Sequence, residues 1–256
     1  MRWIRAFFMS MGMFTAIPLP YRPWDERARP WMLSCFPLVG GVIGGLWAFA
    51  GYLLLRWNVP MPIRAGVLTA LPYLLTGFLH LDGYMDTCDA ILSRRSLEEK
   101  RRILKDPHAG AFGVISFLLL VLLTAGLYGS FPEQWNPWCL LFLPIATRSC
   151  AAVAVSRLRP LSGSQYGAPY RAQLRTPAWV IPGVIGILNL AFAFALCGMP
   201  GLIGVLAAMG GYWLAALYSY RQLQGFSGDL SGYALTIGET CAPAALLIIW
   251  EVLHCI

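Results

Sequence analysis

The sequence predicts an all-α fold, in the form of a polytopic integral membrane protein with about seven transmembrane helices. Hydrophobic residues make up 58% of the 256-residue chain, charged residues only 12%, and the mean hydropathy is +0.62. An average water-soluble domain carries about 25% charged residues. Apolar runs of about 20 residues recur along the chain, which is the length that a helix needs to cross a bilayer. We therefore interpret residues 1–256 as one membrane-embedded domain.

The predicted elements follow from where these apolar runs begin and end. The moderately apolar segment at 1–16 carries Arg2 and Arg5 near its start, which predicts a short amphipathic helix at the membrane surface. The candidate transmembrane spans are 31–56, 62–82, 110–130, 137–156, 178–197, 201–220 and 240–256. Pro, Asn or Gly marks tight turns between several of them, at 57–61, 131–136 and 198–200.

The cations are concentrated in one kind of connection. Sixteen of the 19 Lys and Arg lie in the first thirty residues or in three long polar segments at 94–108, 157–177 and 221–239. The positive-inside rule therefore places the N-terminus and these three segments in the cytoplasm. Membrane topology thus accounts for the net charge of +7, and no nucleic-acid partner is predicted.

The most unusual segment is a row of acids at the end of the second predicted span. Asp82, Asp86 and Asp89 are spaced i, i+4 and i+7, so that on a helix they lie within about 60° of one another. A carboxylate at the bilayer centre costs about 2.5–3.5 kcal/mol, and three like charges on one face repel. A divalent cation such as Mg²⁺ would relieve this repulsion. The simpler interpretation is a helix end whose acids pair with nearby arginines.

Further polar residues are expected at the same membrane face. The Arg-rich segment after the acids predicts phosphate binding, although positive-inside topology alone would also produce it. Asp229 lies between glycines and precedes Glu239, so that it can reach a metal or an anion can approach its backbone. An ordinary loop before a helix would give the same pattern.

Three other ionisable residues each have two interpretations. Arg148 lies inside the fourth predicted span, where it either pairs with a carboxylate or binds a substrate phosphate. His80 is about 200° from Asp82 on a regular helix, so that it either supports the metal site from behind or simply packs. His108 follows a proline and is either solvated or functional.

The run at 79–89, LHLDGYMDTCD, resembles the signature of the cobalamin synthase family, the adenosylcobinamide-GDP ribazoletransferases. Weaker matches follow the same order along the whole chain: TAIPLP at 15–20, FPLVG at 36–40, KDPHAGAFG at 105–113, and Gly-Asp at 228–229 followed by Glu239. The chain departs from the family pattern at Ala16 and His108, where Arg is common, and at Ala90, where Gly is usual.

The resemblance implies a late step of coenzyme B12 assembly at the bacterial cytoplasmic (inner) membrane, with the active site facing the cytoplasm. The 3′-hydroxyl of α-ribazole, or of α-ribazole 5′-phosphate, attacks the phosphorus next to cobinamide in adenosylcobinamide-GDP, and GMP leaves. Such a phosphoryl transfer needs Mg²⁺, cations for the phosphates and a base for the hydroxyl. The expected partners are these two substrates and the lipid bilayer, and a homo-oligomer is left open.

Together, the residue pattern and the resemblance give the following roles. The catalytic candidates are Asp82, Asp86, Asp89 and Asp106, with Asp89 or Asp106 as the base. The Mg²⁺ ligands are Asp82, Asp86, Asp89 and Asp229. The substrate-binding candidates are His80, Arg94, His108, Arg148, Arg157, Arg159 and Glu239.

Two other classes of protein remain as alternatives. Membrane enzymes of the CDP-alcohol phosphotransferase type also hold Mg²⁺ with helical aspartates, but the residues after Gly83 depart from their Asp-Gly-x2-Ala-Arg pattern. A cation-coupled transporter would use the acids as an ion path. Against it, the acids cluster at one membrane face and no inverted repeat of the motif occurs.

Overall fold

The computed structural model describes residues 2–161 and 179–254, and within these ranges all helices are α-helices apart from one 3₁₀ turn, Arg29–Trp31. The α-helices are α1 Arg2–Phe14, α2 Met32–Arg56, α3 Met61–Leu75, α4 Leu79–Leu92, α5 Leu97–Ile103, α6 Ala111–Gly129, α7 Cys139–Arg157, α8 Val180–Leu223 and α9 Gly228–His254. No β-strand occurs in the described ranges. The predicted all-α class is therefore confirmed.

The helices are those of a multi-pass membrane protein. Five of the described helices are long and apolar enough to cross a membrane, and the bent pair of α3 and α4 brings the number to six. The predicted number of seven stays a prediction. The predicted segment at 157–177 lies largely outside the described residues, as do the start of the span at 178–197 and the end of the span at 240–256.

Helix α8 contains two of the predicted spans and reverses between them. Gly198 has a non-helical backbone (φ 64°, ψ −152°) that interrupts the 44-residue helix. A Cβ atom on Gly201 would lie 3.1 Å from the carbonyl carbon of Ala193, whereas eight residues of straight helix separate two positions by about 12 Å. The chain therefore folds back at Gly198, and the turn predicted at 198–200 is confirmed.

The span predicted at 62–82 is not one continuous helix. Helix α3 ends at Leu75 and α4 begins at Leu79, and the two axes meet at 93°. Gly77 and Phe78 between them both have left-handed backbones, with φ of 59° and 64°. A hydropathy profile does not register this break, because Phe78 and its neighbours remain apolar. As a result, the acids lie on a separate helix that begins immediately after the bend.

The prediction of a long polar loop at 221–239 is also wrong. Helix α8 continues to Leu223 and α9 begins at Gly228, so that both Asp229 and Glu239 are helical. The segment looks like a loop because it is rich in small and polar residues. Those side chains find partners inside the bundle, as when Ser231 bonds the Tyr212 hydroxyl at 3.2 Å, and a polar helix face can then be buried.

The predicted N-terminal helix is present as α1. Ala6, Met9 and Phe14 are buried in the same core as residues of α2, while Trp3 and Ile4 on the other face are exposed. Helix α7 lies at the centre of the bundle, in contact with α2, α8 and α9. Most of its residues are buried. The helices around α7 bring the first turns of α4 and α9 together.

Candidate active site

The three acids of α4 share one helix, as their spacing predicts, but they have three different environments. Asp82 is exposed, Asp86 is half-buried and Asp89 is buried, with 8% of its surface exposed. Their burial increases along the helix away from the bend at Phe78. Asp82 and Asp86 therefore remain accessible to a ligand, and Asp89 points into the protein.

Asp89 is bound by the start of α6. Its Oδ2 accepts the backbone N–H of Gly110 at 2.8 Å, and its Oδ1 accepts that of Gly113 at 2.9 Å. These N–H groups belong to the first turn of a helix, where they have no intrahelical partner. A carboxylate is favourable there, because it also faces the positive end of the helix dipole. Asp89 thus fixes α6 against α4, a contact 21 residues away in sequence.

A fourth acid reaches the same place from α9. A Cβ atom on Gly83 would lie 2.8 Å from both the Cα and the carbonyl oxygen of Asp229, so only glycine lets α4 and α9 cross this closely. Ser227 donates to Oδ2 of Asp229 at 3.2 Å. Asp86 is within electrostatic range of the other three acids. We call these four residues, Asp82, Asp86, Asp89 and Asp229, the acid cluster.

No cation of the described residues neutralises the acid cluster. The ion pairs of the described chain involve other acids, and no arginine or lysine pairs with these four. The simpler interpretation, a helix end paired with nearby arginines, therefore does not describe this part of the structure. Uncompensated carboxylates at a helix crossing are costly unless a cation from outside joins them.

The donor set suits Mg²⁺ by its chemistry. Carboxylate oxygens are the ligands that Mg²⁺ prefers, and it is commonly held by one or two of them together with waters and substrate phosphates. Among the described residues, no group of three or more His, Cys, Asp or Glu is arranged to hold a metal ion by itself. An open site completed by a substrate is thus compatible with these side chains, whereas a closed protein cage is not.

His80 lies in the first turn of α4 on the side opposite Asp82. Its ring meets Phe36 of α2 edge-on at 6.3 Å between centroids, and 8% of the residue is exposed. Its carbonyl accepts the Thr236 hydroxyl of α9 at 3.4 Å. Its Nε2 is buried without a hydrogen-bond partner in the described chain.

Arg148 pairs with Glu239, which joins α7 to α9 inside the bundle. Thr147 donates a second hydrogen bond to the same Glu239 oxygen at 2.9 Å, and Arg148 is fully buried. Its guanidinium carbon also lies 5.9 Å from the centre of the Phe36 ring. Of the two roles that the sequence left open, the structure thus shows a carboxylate partner. A role for either residue in substrate binding stays a prediction.

The other predicted site residues are exposed. Arg94 has a left-handed backbone (φ 54°), and the Arg157 guanidinium covers the Trp179 ring at 5.1 Å. Arg159 accepts the Phe226 N–H with its carbonyl at 2.9 Å, leaving its side chain free at the surface. None of these three side chains reaches the acid cluster in the described structure.

Asp106 and His108 form a local turn before α6. Asp106 Oδ1 accepts the backbone N–H of His108 at 3.0 Å and lies 2.8 Å from its Nδ1. The hydrogen bond from the His108 side chain lowers the pKa of Asp106 below its ordinary value. Both residues are exposed.

The surface segments converge at one end of the bundle. Arg101 of α5 donates to the carbonyl of Leu223 at 2.9 Å, and backbone hydrogen bonds join Phe226 to 159–161. The segments that carry Arg94 and Arg159 are thereby tied to the loop that leads into Asp229. The sequence predicts this convergence through the distribution of its cations.

A cavity beside the acid cluster was not predicted from the sequence. It measures about 470 Å³ and lies between α1, the 3₁₀ turn, α2 and the first turns of α4 and α9. Arg29, His80 and Asp229 contribute its ionisable groups. The family-like match at 15–20 lies just after α1, but no local pattern in the sequence indicates Arg29.

The family model described as cobalamin-5-phosphate synthase matches residues 6–247. The chain belongs to this family. A relative from Clostridium botulinum (strain Alaska E43 / Type E3) is 38% identical over 241 residues, covering 92% of this chain and 94% of the relative. Relatives from Clostridium perfringens (strain ATCC 13124) and Desulfitobacterium hafniense (strain Y51) are 37% and 32% identical, each covering 92% of this chain and 94% of the relative. All three are named adenosylcobinamide-GDP ribazoletransferase. No solved structure matches the chain.

Membership of the cobalamin-5-phosphate synthase family makes the chain a membrane transferase of late cobalamin biosynthesis. The resemblance in the sequence is thus confirmed. The transporter and the CDP-alcohol phosphotransferase are set aside, because the family match extends over nearly the whole chain.

Proposed function

We propose that the chain joins adenosylcobinamide-GDP to α-ribazole or α-ribazole 5′-phosphate, with adenosylcobalamin or its 5′-phosphate and GMP as products. The observation that carries the proposal is the acid cluster, four carboxylates without a cationic partner among the described residues of a cobalamin-5-phosphate synthase family member. The relatives' names supply the substrate class.

The reaction is a transfer of one phosphoryl group. The oxygen of the ribazole 3′-hydroxyl forms a bond to the phosphorus next to cobinamide, and the bond from that phosphorus to the bridging oxygen of GMP breaks. The hydroxyl proton goes to a base, and GMP leaves with its electron pair. Positioning and charge stabilisation supply most of the catalysis in reactions of this class.

Mg²⁺ would be held at the acid cluster by one or two of the carboxylates of Asp82, Asp86 and Asp229, together with waters and substrate phosphates. Asp89 fixes α4 against α6 through its two backbone hydrogen bonds. Bound at the acid cluster, Mg²⁺ would supply positive charge to neutralise the diphosphate and stabilise the leaving group. Asp82 is exposed and Asp86 half-exposed, so both are open to a substrate diphosphate. Gly83 between them keeps the backbone of Asp229 in contact with the same helix.

Arg94, Arg157 and Arg159 are proposed to bind the phosphates of the nucleotide. They lie on exposed segments that are tied to the loop before Asp229, and arginine presents a planar fork that suits phosphate oxygens. Of the two proposed bases, Asp89 already accepts two N–H groups. Asp106 is accessible, and we propose it as the base that accepts the proton of the ribazole hydroxyl. The hydrogen bond from His108 makes Asp106 a weaker base.

The test is a reaction with purified chain in lipid nanodiscs, Mg²⁺, adenosylcobinamide-GDP and α-ribazole. We expect one GMP released for each corrinoid product, measured by liquid chromatography and mass spectrometry. GMP release that does not depend on α-ribazole would indicate hydrolysis and contradict the proposal. Loss of the reaction on chelation, restored by Mg²⁺, would support the proposed metal. Placement in the cytoplasmic membrane with the site facing the cytoplasm is testable by labelling cysteines introduced at 94–108.

A further inference from the structure

The cavity beside the acid cluster has the volume of a small-molecule site. Its volume of about 470 Å³ falls in the range of about 300–1,000 Å³ that small-molecule sites commonly occupy. Phe14 and Phe36, whose ring centroids lie 4.4 Å apart, form an apolar wall of the cavity together with Leu235. Asp229 belongs to both the cavity and the acid cluster, so that a ligand in the cavity reaches the reacting centre.

Two polar groups of this cavity lack partners. The Nε2 atom of His80 and the Nε atom of Arg29 are each buried with no hydrogen-bond partner in the described chain. Buried polar atoms are usually hydrogen-bonded in folded proteins. A ligand with polar groups on two sides would supply the partners that these two atoms lack in the described chain. His80 is more than nine-tenths buried, which holds its ring in one place between Phe36 and α9.

The chemistry of the wall selects the kind of nucleoside. A guanine base presents donors and an acceptor along its edge, and its burial requires several polar partners. Here the apolar part of the lining includes Phe14, Phe36 and Leu235. The two serines of the lining are already hydrogen-bonded, Ser227 to Asp229 and Ser231 to Tyr212. This leaves the buried imidazole of His80 to meet the base. A flat bicyclic base with a single ring acceptor suits this cavity better. In the tautomer that carries its proton on Nε2, His80 can donate a hydrogen bond to that one ring nitrogen.

We propose that this cavity binds the acceptor nucleoside, α-ribazole or its 5′-phosphate, rather than the guanosine of the second substrate. This inference rests on the proposed function. The apolar base lies against Phe14 and Phe36, the ribose hydroxyl that attacks phosphorus is next to Asp229, and the 5′-phosphate lies at Arg29. Arg29 and His80 are then positioning residues, which orient the acceptor while the acid cluster handles the diphosphate.

The first test narrows the cavity without disturbing the core. Met13 lines the cavity but is 40% exposed, so that Met13→Trp can place an indole at its mouth. Ile4→Trp on the same helix is the matched control, because Ile4 is 61% exposed and does not line the cavity. We expect Met13→Trp to raise KM for α-ribazole at least about tenfold, the usual scale of a misfit in an apolar pocket, with KM for adenosylcobinamide-GDP unchanged.

The second test separates the phosphorylated from the unphosphorylated acceptor. Arg29→Gln should raise KM for α-ribazole 5′-phosphate about ten- to a hundredfold, the usual effect of losing a charged hydrogen bond. KM for unphosphorylated α-ribazole should stay close to that of wild type. Arg27→Gln, at an exposed position two residues away, is the control. Melting temperatures of all four variants confirm folding, because Arg29 also pairs with Glu26.

The outcomes distinguish this inference from the proposed function. Equilibrium dialysis of α-ribazole 5′-phosphate against wild type needs no turnover, so binding that Met13→Trp weakens would support the cavity even if no product formed. If wild type makes cobalamin but Met13→Trp and Ile4→Trp behave alike, the cavity assignment is overturned and the function stands. A rise in KM for adenosylcobinamide-GDP alone would overturn it as well, since the cavity would then hold the other substrate.

Discussion

The Arg148–Glu239 pair and the acid cluster both place carboxylates in the same bundle, but only the carboxylate of the pair is neutralised by a cation of the protein itself. Arg148 is fully buried and bonded to Glu239, which Thr147 also bonds. In the acid cluster, Asp82 and Asp86 have no hydrogen bond or ion pair from their side chains within the described chain. A charge that is compensated inside the fold stabilises structure, whereas an uncompensated, accessible group of charges is available for a substrate and its cation.

The largest expected effect is the loss of activity when one carboxylate of the acid cluster is replaced by an amide. Asp86→Asn should lower the rate of GMP release by at least about a hundredfold, because in the proposed mechanism it removes a ligand of Mg²⁺, and a catalytic metal ion contributes several kcal/mol to transition-state stabilisation. Its melting temperature should stay the same or rise, since a like charge has been removed. The same assay applies to Asp82→Asn, with Glu98→Gln on exposed α5 as the control. Near-normal turnover by either variant at moderate Mg²⁺ would remove the acid cluster from the mechanism.

The second effect is on stability and belongs to the buried pair. Arg148→Ala should lower the free energy of unfolding by about 3–5 kcal/mol, because Glu239 is left with an uncompensated charge in the bundle. The double variant with Arg148→Met and Glu239→Leu should lose much less of its free energy of unfolding, because the two charges disappear together. Thermal denaturation in detergent micelles gives the comparison. If the single and double variants melted alike, the pair would not be coupled in the way the contact implies.

These two regions also show what the sequence reveals and what it does not. The spacing of Asp82, Asp86 and Asp89 is a local property of a helix, and their shared face could be predicted without knowledge of the fold. The partners of Asp89 and Arg148 are 21 and 91 residues away, and no local pattern indicates which distant group a buried charge will meet. For this reason Arg148 had two interpretations before the structure was known.

The errors in helix boundaries have the same origin. Hydropathy joins α3 to α4 because it does not detect the left-handed backbone at Gly77 and Phe78. It starts α9 twelve residues late, at 240 instead of Gly228, because the polar residues of its first turns are buried by partners that the local sequence does not contain. The break at Gly77–Phe78 matters for function, since it begins the helix of the acid cluster next to the cavity.

An effect of intermediate size is expected at Asp89. This residue belongs to the acid cluster by position, but like the buried pair it is hydrogen-bonded within the protein. Asp89→Asn keeps one acceptor oxygen and loses the charge at the start of α6. We expect it to lower the free energy of unfolding by about 1.5–3 kcal/mol, the range for a charged hydrogen bond. Asp82→Asn, at an exposed position with no such bond, should lose almost nothing in the same denaturation experiment. Equal losses for the two would mean that burial does not separate their roles.

The smallest expected effect concerns Asp106, an acid at the surface that the protein compensates with a neighbouring histidine. The hydrogen bond from His108 lowers the pKa of Asp106 below its ordinary value of 3.8. A carboxyl whose pKa is lowered by folding stabilises the native state above its unfolded pKa, and this contribution is lost as the pH falls through the lowered value. His108→Gln should therefore move the Asp106 pKa back up towards 3.8, as followed by carbon-detected NMR of its carboxyl. Asp25 is the internal control, because Arg5, and not a histidine, lowers its pKa. If Asp106 titrated at the same pH in both proteins, the His108 contact would not be maintained in solution, and Asp106 would be as uncompensated as the exposed members of the acid cluster.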